Sequence, residues 1–145
     1  MRIVVGADHA GFDLKQELVA ALKTAGHEVV DFGCHAAERC DYPDFASKVG
    51  EAVSKGEAPR GLLVCGTGQG MAMSANRIPG VRASVVSDTF SAHATVEHND
   101  SNVLCLGSRV VGGGVALDLL SAWLGAEFEG GRHADRLAKM AALER

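Results

Sequence analysis

Five short apolar runs alternate with helix-period segments along the 145 residues, and this alternation leaves few architectures open. Ile3–Ala7 is continuous, rich in β-branched residues and closed by Asp8-His9, which predicts a strand buried on both faces. Leu14, Leu18, Leu22 and Ala25 then fall on one face of a helix that Gly26 stops. Glu28–Phe32 is the second predicted strand. Pro43 opens a helix carrying Phe45, Val49, Ala52 and Val53, with Gly56 as its end. Gly61–Cys65 is the third strand and runs into a short helix over Met71–Asn76. Val81–Val86 and Val103–Leu106 are the fourth and fifth strands, separated by a helix over Asp88–Glu97. Val115–Leu124 and Ala134–Leu143 close the chain as helices. The pattern predicts one α/β domain over residues 1–145, with a five-stranded, mainly parallel sheet covered by helices on both faces.

In such a sheet, ligands bind outside the carboxyl ends of the strands. Those ends carry Asp8-His9, Cys65-Gly66-Thr67, Ser87-Asp88 and Ser108-Arg109. Eighteen glycines in 145 residues exceed ordinary usage and fit loops that approach a ligand closely. The net charge of −4 argues against a nucleic-acid or membrane-surface partner, so an anionic ligand needs a local cationic cluster. No apolar run approaches the ~20 residues of a membrane span. The first residues, Met1-Arg2-Ile3-Val4, lack the pattern of an export signal, and a cytoplasmic location is the expectation. Four cysteines without a C-x-x-C pair give no zinc-ribbon or thioredoxin motif. Cys105 reads as core; Cys34 and Cys40 fall in a polar loop and receive no role.

Gly66-Thr67-Gly68-Gln69-Gly70 is the most informative loop. Its alternate glycines, between a strand and a helix, leave backbone N–H groups free for an anion. It is not a dinucleotide fingerprint, because Met71 and Met73 stand where a third glycine would fall. Gly6–Gly11 has Walker-like spacing, but Phe12-Asp13 follows where lysine and a hydroxyl residue are needed. Cys65, directly before an N–H-rich loop and a helix, is placed where a thiolate is favoured. A buried inert cysteine fits the position alone, and the glycine loop tips the reading toward a reactive one. Asp8, His9 and Cys65 could also ligate a metal. The six histidines show no spacing such as H-x-x-x-H, so no metal and no cofactor are expected. Arg132 and Arg136 share a helix face beside a glycine pair and suit a phosphate clamp, against the plainer reading of a salt-bridged surface helix.

Taken in order, Gly6-Ala7-Asp8-His9-Ala10-Gly11-Phe12, Asp41-Tyr42-Pro43, Cys65–Gly70, His98-Asn99-Asp100, Gly107–Gly112 and Glu129-Gly130-Gly131-Arg132-His133 make the chain resemble the type B ribose-5-phosphate isomerases and related sugar-phosphate isomerases. The resemblance spans nearly the whole chain. It implies a Rossmann-like α/β/α sandwich that works without metal, as a homodimer or homotetramer. It implies Cys65 as the proton-transferring base with Thr67 beside it, and His98 as the group that opens the sugar ring. Asp8 would position the sugar, and the N–H groups from Gly66 through Gly68 and Gln69 to Gly70 would hold an enediolate. His9, Arg109, Arg132 and Arg136 would hold the phosphate, with Tyr42 and Asn99 lining the site. One branch of the family places a glutamate base just after the glycine loop; Met71 stands there, which assigns this chain to the cysteine branch. Relatives acting on allose 6-phosphate or galactose 6-phosphate, and a catalytically silent sugar-phosphate-binding module, are the alternatives. The helix before His98 returns the chain to the sheet edge opposite Cys65, so a site containing both is expected to form between two subunits.

Overall fold

Each apolar run forms a strand and each periodic segment a helix in the computed structural model, which describes residues 1–144. The order is β1 (Arg2–Ala7), α1 (Phe12–Thr24), β2 (Glu28–Asp31), α2 (Tyr42–Ser54), β3 (Arg60–Cys65), α3 (Gln69–Ala75), β4 (Ala83–Val85), α4 (Thr89–Glu97), β5 (Val103–Gly107), α5 (Gly113–Gly125) and α6 (Arg132–Ala141). The strands form one sheet in the order β2-β1-β3-β5-β4. Every pairing is parallel, from Arg2 against Glu28 at one edge to Val85 against Cys105 at the other.

Alternation along the strands divides the core in two. Ile3, Val5, Leu62, Val64, Leu104 and Leu106 pack with α1, α4 and α5. Val4, Leu63, Cys65, Val103 and Cys105 face α2 and α3 instead. The result is the expected α/β/α sandwich, and it turns Cys65 toward the α2/α3 layer. From β1 the chain goes outward to β2 and returns on the other side as β3. The carboxyl ends of β1 and β3 therefore flank the crevice where strand order reverses.

Several boundaries move. The fourth strand contracts from the expected Val81–Val86 to Ala83–Val85. Val81 closes a turn by donating its N–H to Ile78 (3.1 Å), and Arg82 donates its N–H to Asn102 Oδ1 (2.8 Å), so neither enters the ladder. Ala25 caps α1 and is exposed rather than continuing the Leu14-Leu18-Leu22 stripe. The last helix begins at Arg132, earlier than the expected Ala134, and ends at Ala141. Asp88 lies just outside α4 as its cap: Oδ1 accepts the Ser91 N–H at 2.7 Å. That bond holds the Asp88 carboxyl below the ordinary carboxylate range.

Lys15 breaks the rule that ammonium groups stay in water. Its side chain is wholly buried, and Nζ donates to Asp31 Oδ2 at 2.7 Å and to the Cys34 carbonyl at 2.6 Å. The Phe12 ring lies 5.3 Å from Nζ. Salt bridge, carbonyl and ring together replace the lost hydration. This clamp ties α1 to the end of β2 and to the loop that follows it.

Candidate active site

Cys65, the last residue of β3, is buried, and its Sγ accepts the backbone N–H of Gly68 at 3.1 Å. Gly68 reaches that position with φ +80°, a left-handed conformation that costs a side chain roughly 1–2 kcal/mol. A Cβ on Gly68 would also stand 3.2 Å from Val85 Cγ1 and from the Leu106 carbonyl carbon. The loop therefore requires glycine here for both conformation and space. Thr67 is exposed, and its Oγ1 accepts the Gln69 N–H at 3.3 Å. The Thr67 backbone lies directly on β5, where a Cβ on Gly107 would meet Thr67 Cα at 2.7 Å.

Neighbouring strand ends complete this edge. Ser108 donates its N–H to the Cys65 carbonyl (2.8 Å) and Arg109 donates its N–H to the Gly66 carbonyl (3.0 Å). The Arg109 guanidinium lies beside Gly66, where a Cβ would be 3.4 Å from Nη1. Asp8 is buried, with Oδ1 accepting the Gly11 N–H at 3.0 Å. His9 Nδ1 accepts the Cys40 N–H at 3.3 Å, which leaves Nε2 to carry the proton of the neutral ring. Tyr42, at the start of α2, lays its ring on Gly70; a Cβ there would come within 2.6 Å of it. Asp8, His9, Tyr42, Cys65, Gly66, Thr67, Gly68, Gln69, Gly70 and Arg109 thus gather on the carboxyl edge.

His98, Asn99, Arg132 and Arg136 do not join them. α4 carries the chain back across the sheet, and His98 caps its far end. Arg60, at the opening of β3, donates from Nη1 to the Trp123 carbonyl (3.3 Å), so the end of α5 marks the amino edge. The Glu129 N–H donates to the Glu97 carbonyl (3.0 Å), placing the 126–131 segment and α6 beside His98 on that edge. Arg132 and Arg136 are exposed on α6. Asn99 lines a cavity of about 790 Å³ with Arg77, Arg82, Leu137 and Met140. This cavity lies at the amino edge, away from Cys65.

Glu129 and His133, which the sequence placed in a family block without a role, stand beside His98. Glu129 Oε1 lies 3.8 Å from His98 Nε2 and 3.6 Å from His133 Nε2. The two imidazoles stack with centroids 4.6 Å apart and planes at 19°. The four-residue spacing of Glu129 and His133 was the available signal, but nothing local tied it to His98. Asp8, His9 and Cys65 form no metal-type cluster; among the described residues the three-donor group is His98, Glu129 and His133. The other cysteines are also clearer in three dimensions. Cys105 is fully buried, and burial pushes its thiol far up. Cys34 is buried rather than solvated: burial, with the nearby Cys40 thiol, raises it to about 11.

Residues 3–140 match the model of the Ribose/Galactose Isomerase family. The chain belongs to this family. It is 50% identical over 143 residues to "Ribose-5-phosphate isomerase B" of Escherichia coli, covering 99% of this chain and 96% of that one. The ribose-5-phosphate isomerase B structure from Clostridium thermocellum superposes with a TM-score of 0.98 at 51% identity, covering 99% of this chain and 97% of that one. The Mycoplasma genitalium ribose-5-phosphate isomerase B structure with bound ribulose-5-phosphate has a TM-score of 0.94 at 39% identity, covering 97% and 94%. No helix among the described residues is long and apolar enough to cross a membrane.

Proposed function

We propose that this member of the family interconverts ribose 5-phosphate and ribulose 5-phosphate in the cytoplasm. The observation that carries the proposal is the Cys65 thiol at the head of the glycine loop, with the Gly68 N–H on its sulfur. Aldose–ketose exchange needs a base to remove a proton from one carbon and return it to the next. It also needs donors for the enediolate oxygens. As a thiolate, Cys65 takes the proton from C2 of the aldose and delivers it to C1. Thr67 and the N–H groups of Gly66 to Gly70 donate to the oxygens. Asp8 positions the sugar hydroxyls.

A furanose must open first, with a proton leaving the anomeric hydroxyl and another reaching the ring oxygen. His98 is the acid–base group for that step. Because it lies on the edge opposite Cys65, the complete site takes His98, Asn99, Arg132 and Arg136 from a second copy of the chain. A two-fold dimer then carries two equivalent sites. Arg132 and Arg136 of one subunit, with His9 and Arg109 of the other, hold the phosphate.

The test is kcat/KM over a panel of ribose, allose and galactose phosphates. Ribose 5-phosphate should lead. The family's name includes galactose isomerases, and a six-carbon substrate in first place would replace the ribose assignment. Cys65→Ala should lower turnover by about 10²–10⁴ while substrate affinity stays within about tenfold. Near-normal turnover would remove Cys65 from the proton transfer.

A further inference from the structure

The amino-edge cluster has a chemistry that sugar isomerisation does not require. His98, Glu129 and His133 come from the end of α4, the 126–131 segment and the first turn of α6, yet one donor atom from each lies within 4.8 Å of the others. Backbone bonds hold this convergence: Glu129 N–H to the Glu97 carbonyl at 3.0 Å, and His133 N–H to the Gly130 carbonyl at 3.1 Å. His133 is 9% exposed, so packing fixes its ring while Nε2 faces Glu129 Oε1. Two imidazoles and one carboxylate are a donor set that suits zinc or cobalt rather than magnesium or calcium.

We propose that His98, Glu129 and His133 form a binding site for a divalent transition-metal ion of the Zn²⁺ or Co²⁺ class, and that the ion inhibits the isomerase. Metal–nitrogen bonds of about 2.0–2.1 Å place two ligand nitrogens roughly 3.3 Å apart around a tetrahedral ion. The stacked rings reach that arrangement when His98, whose side chain is 45% exposed, turns its ring out of the stack. His133 and Glu129 supply the prepared half of the site. An ion held there occupies the imidazole lone pair that His98 needs to move protons. Inhibition rests on the ring-opening role proposed for His98; binding does not.

The full-length chain is titrated with Co²⁺ and followed by absorbance. One ion per chain is expected, with weak visible bands and no near-ultraviolet thiolate-to-cobalt band. Glu129→Gln and His133→Asn should each weaken binding by more than about tenfold, whereas Cys34→Ser and Cys65→Ala should leave it unchanged. NMR of the unaltered protein provides a test that needs no variant: Co²⁺ should selectively shift or broaden the His98 and His133 ring signals. Absence of binding at about 1 mM, a thiolate band, or broadening centred on another histidine overturns the site. Zn²⁺ should inhibit turnover of cyclic ribose 5-phosphate, with relief in Glu129→Gln. Binding at the cluster without inhibition upholds the site and removes His98 from ring opening. Inhibition without binding at the cluster overturns the proposal.

Discussion

Mixing two variants, each expected to be inactive, tests the proposed shared site directly. Cys65→Ala removes the proposed base on the carboxyl edge, and His98→Asn removes the proposed acid–base group on the amino edge. β3 spans six residues, about 17 Å at strand rise, and α4 spans nine residues, about 14 Å at helical rise. Proton transfer works at hydrogen-bond distance, near 3 Å. The gap is too long for one sugar to touch Cys65 and His98 of the same chain. In a two-fold dimer of the two variants, one site pairs an intact Cys65 with an intact His98, and the other pairs both defects. Random exchange of equal amounts makes half the dimers mixed, each with one working site, so the mixture should recover about one-quarter of wild-type activity. A control has a different expected value. Wild-type chains mixed equally with the Cys65→Ala/His98→Asn double variant should fall to about one-quarter of the all-wild-type activity, because mixed dimers then contain no complete site. If each chain carried its own site, that control would stay near one-half and the first mixture would remain as inactive as its parents. Cyclic ribose 5-phosphate is the substrate, and native mass spectrometry confirms exchange. Inactivity of the first mixture despite confirmed exchange refutes the arrangement.

Replacing Arg132 or Arg136 by alanine should raise KM for the phosphorylated sugar by the equivalent of roughly 1.5–3 kcal/mol, with little change for the free sugar. Equal losses for both would assign the arginines to the fold. Exhaustive chelation should not lower the rate, since none of the proposed steps uses an ion; a loss restored by added metal would contradict this. Lys15→Ala should destabilise the chain by about 3 kcal/mol in urea unfolding, the lower end for a broken buried pair because the Asp31 side chain keeps 24% exposure. A midpoint close to wild type would show that water replaces the ammonium.

The order of elements was legible because strand-length runs and helix-period segments differ in both length and period. Cys65 and the glycine loop were legible for a related reason: their neighbours in space are their neighbours in sequence. Legibility failed where partners are distant along the chain. Lys15 looks like an exposed helix lysine until Asp31 and the Cys34 carbonyl are seen around it. Glu129 and His133 gain meaning from His98, which α4 delivers from another part of the chain. Val81 and Arg82 have strand composition, but the Ile78 turn and the Asn102 side chain take their backbone donors. The edge on which His98 falls was readable from the length of a helix; which chain's Cys65 it serves depends on assembly.

The Lys15 clamp also fixes one foot of the loop that borders the carboxyl edge. At one end of the 34–40 loop, Lys15 holds the Cys34 carbonyl while the Cys34 N–H donates to the Ala7 carbonyl at 2.7 Å. At the other end, the Cys40 N–H is bound to His9. Only the exposed tip, His35 to Arg39, lies between these anchors. Such a loop cannot swing from its base like a hinged flap. Its freedom is that of a short arch with both feet planted, confined to the five residues from His35 to Arg39.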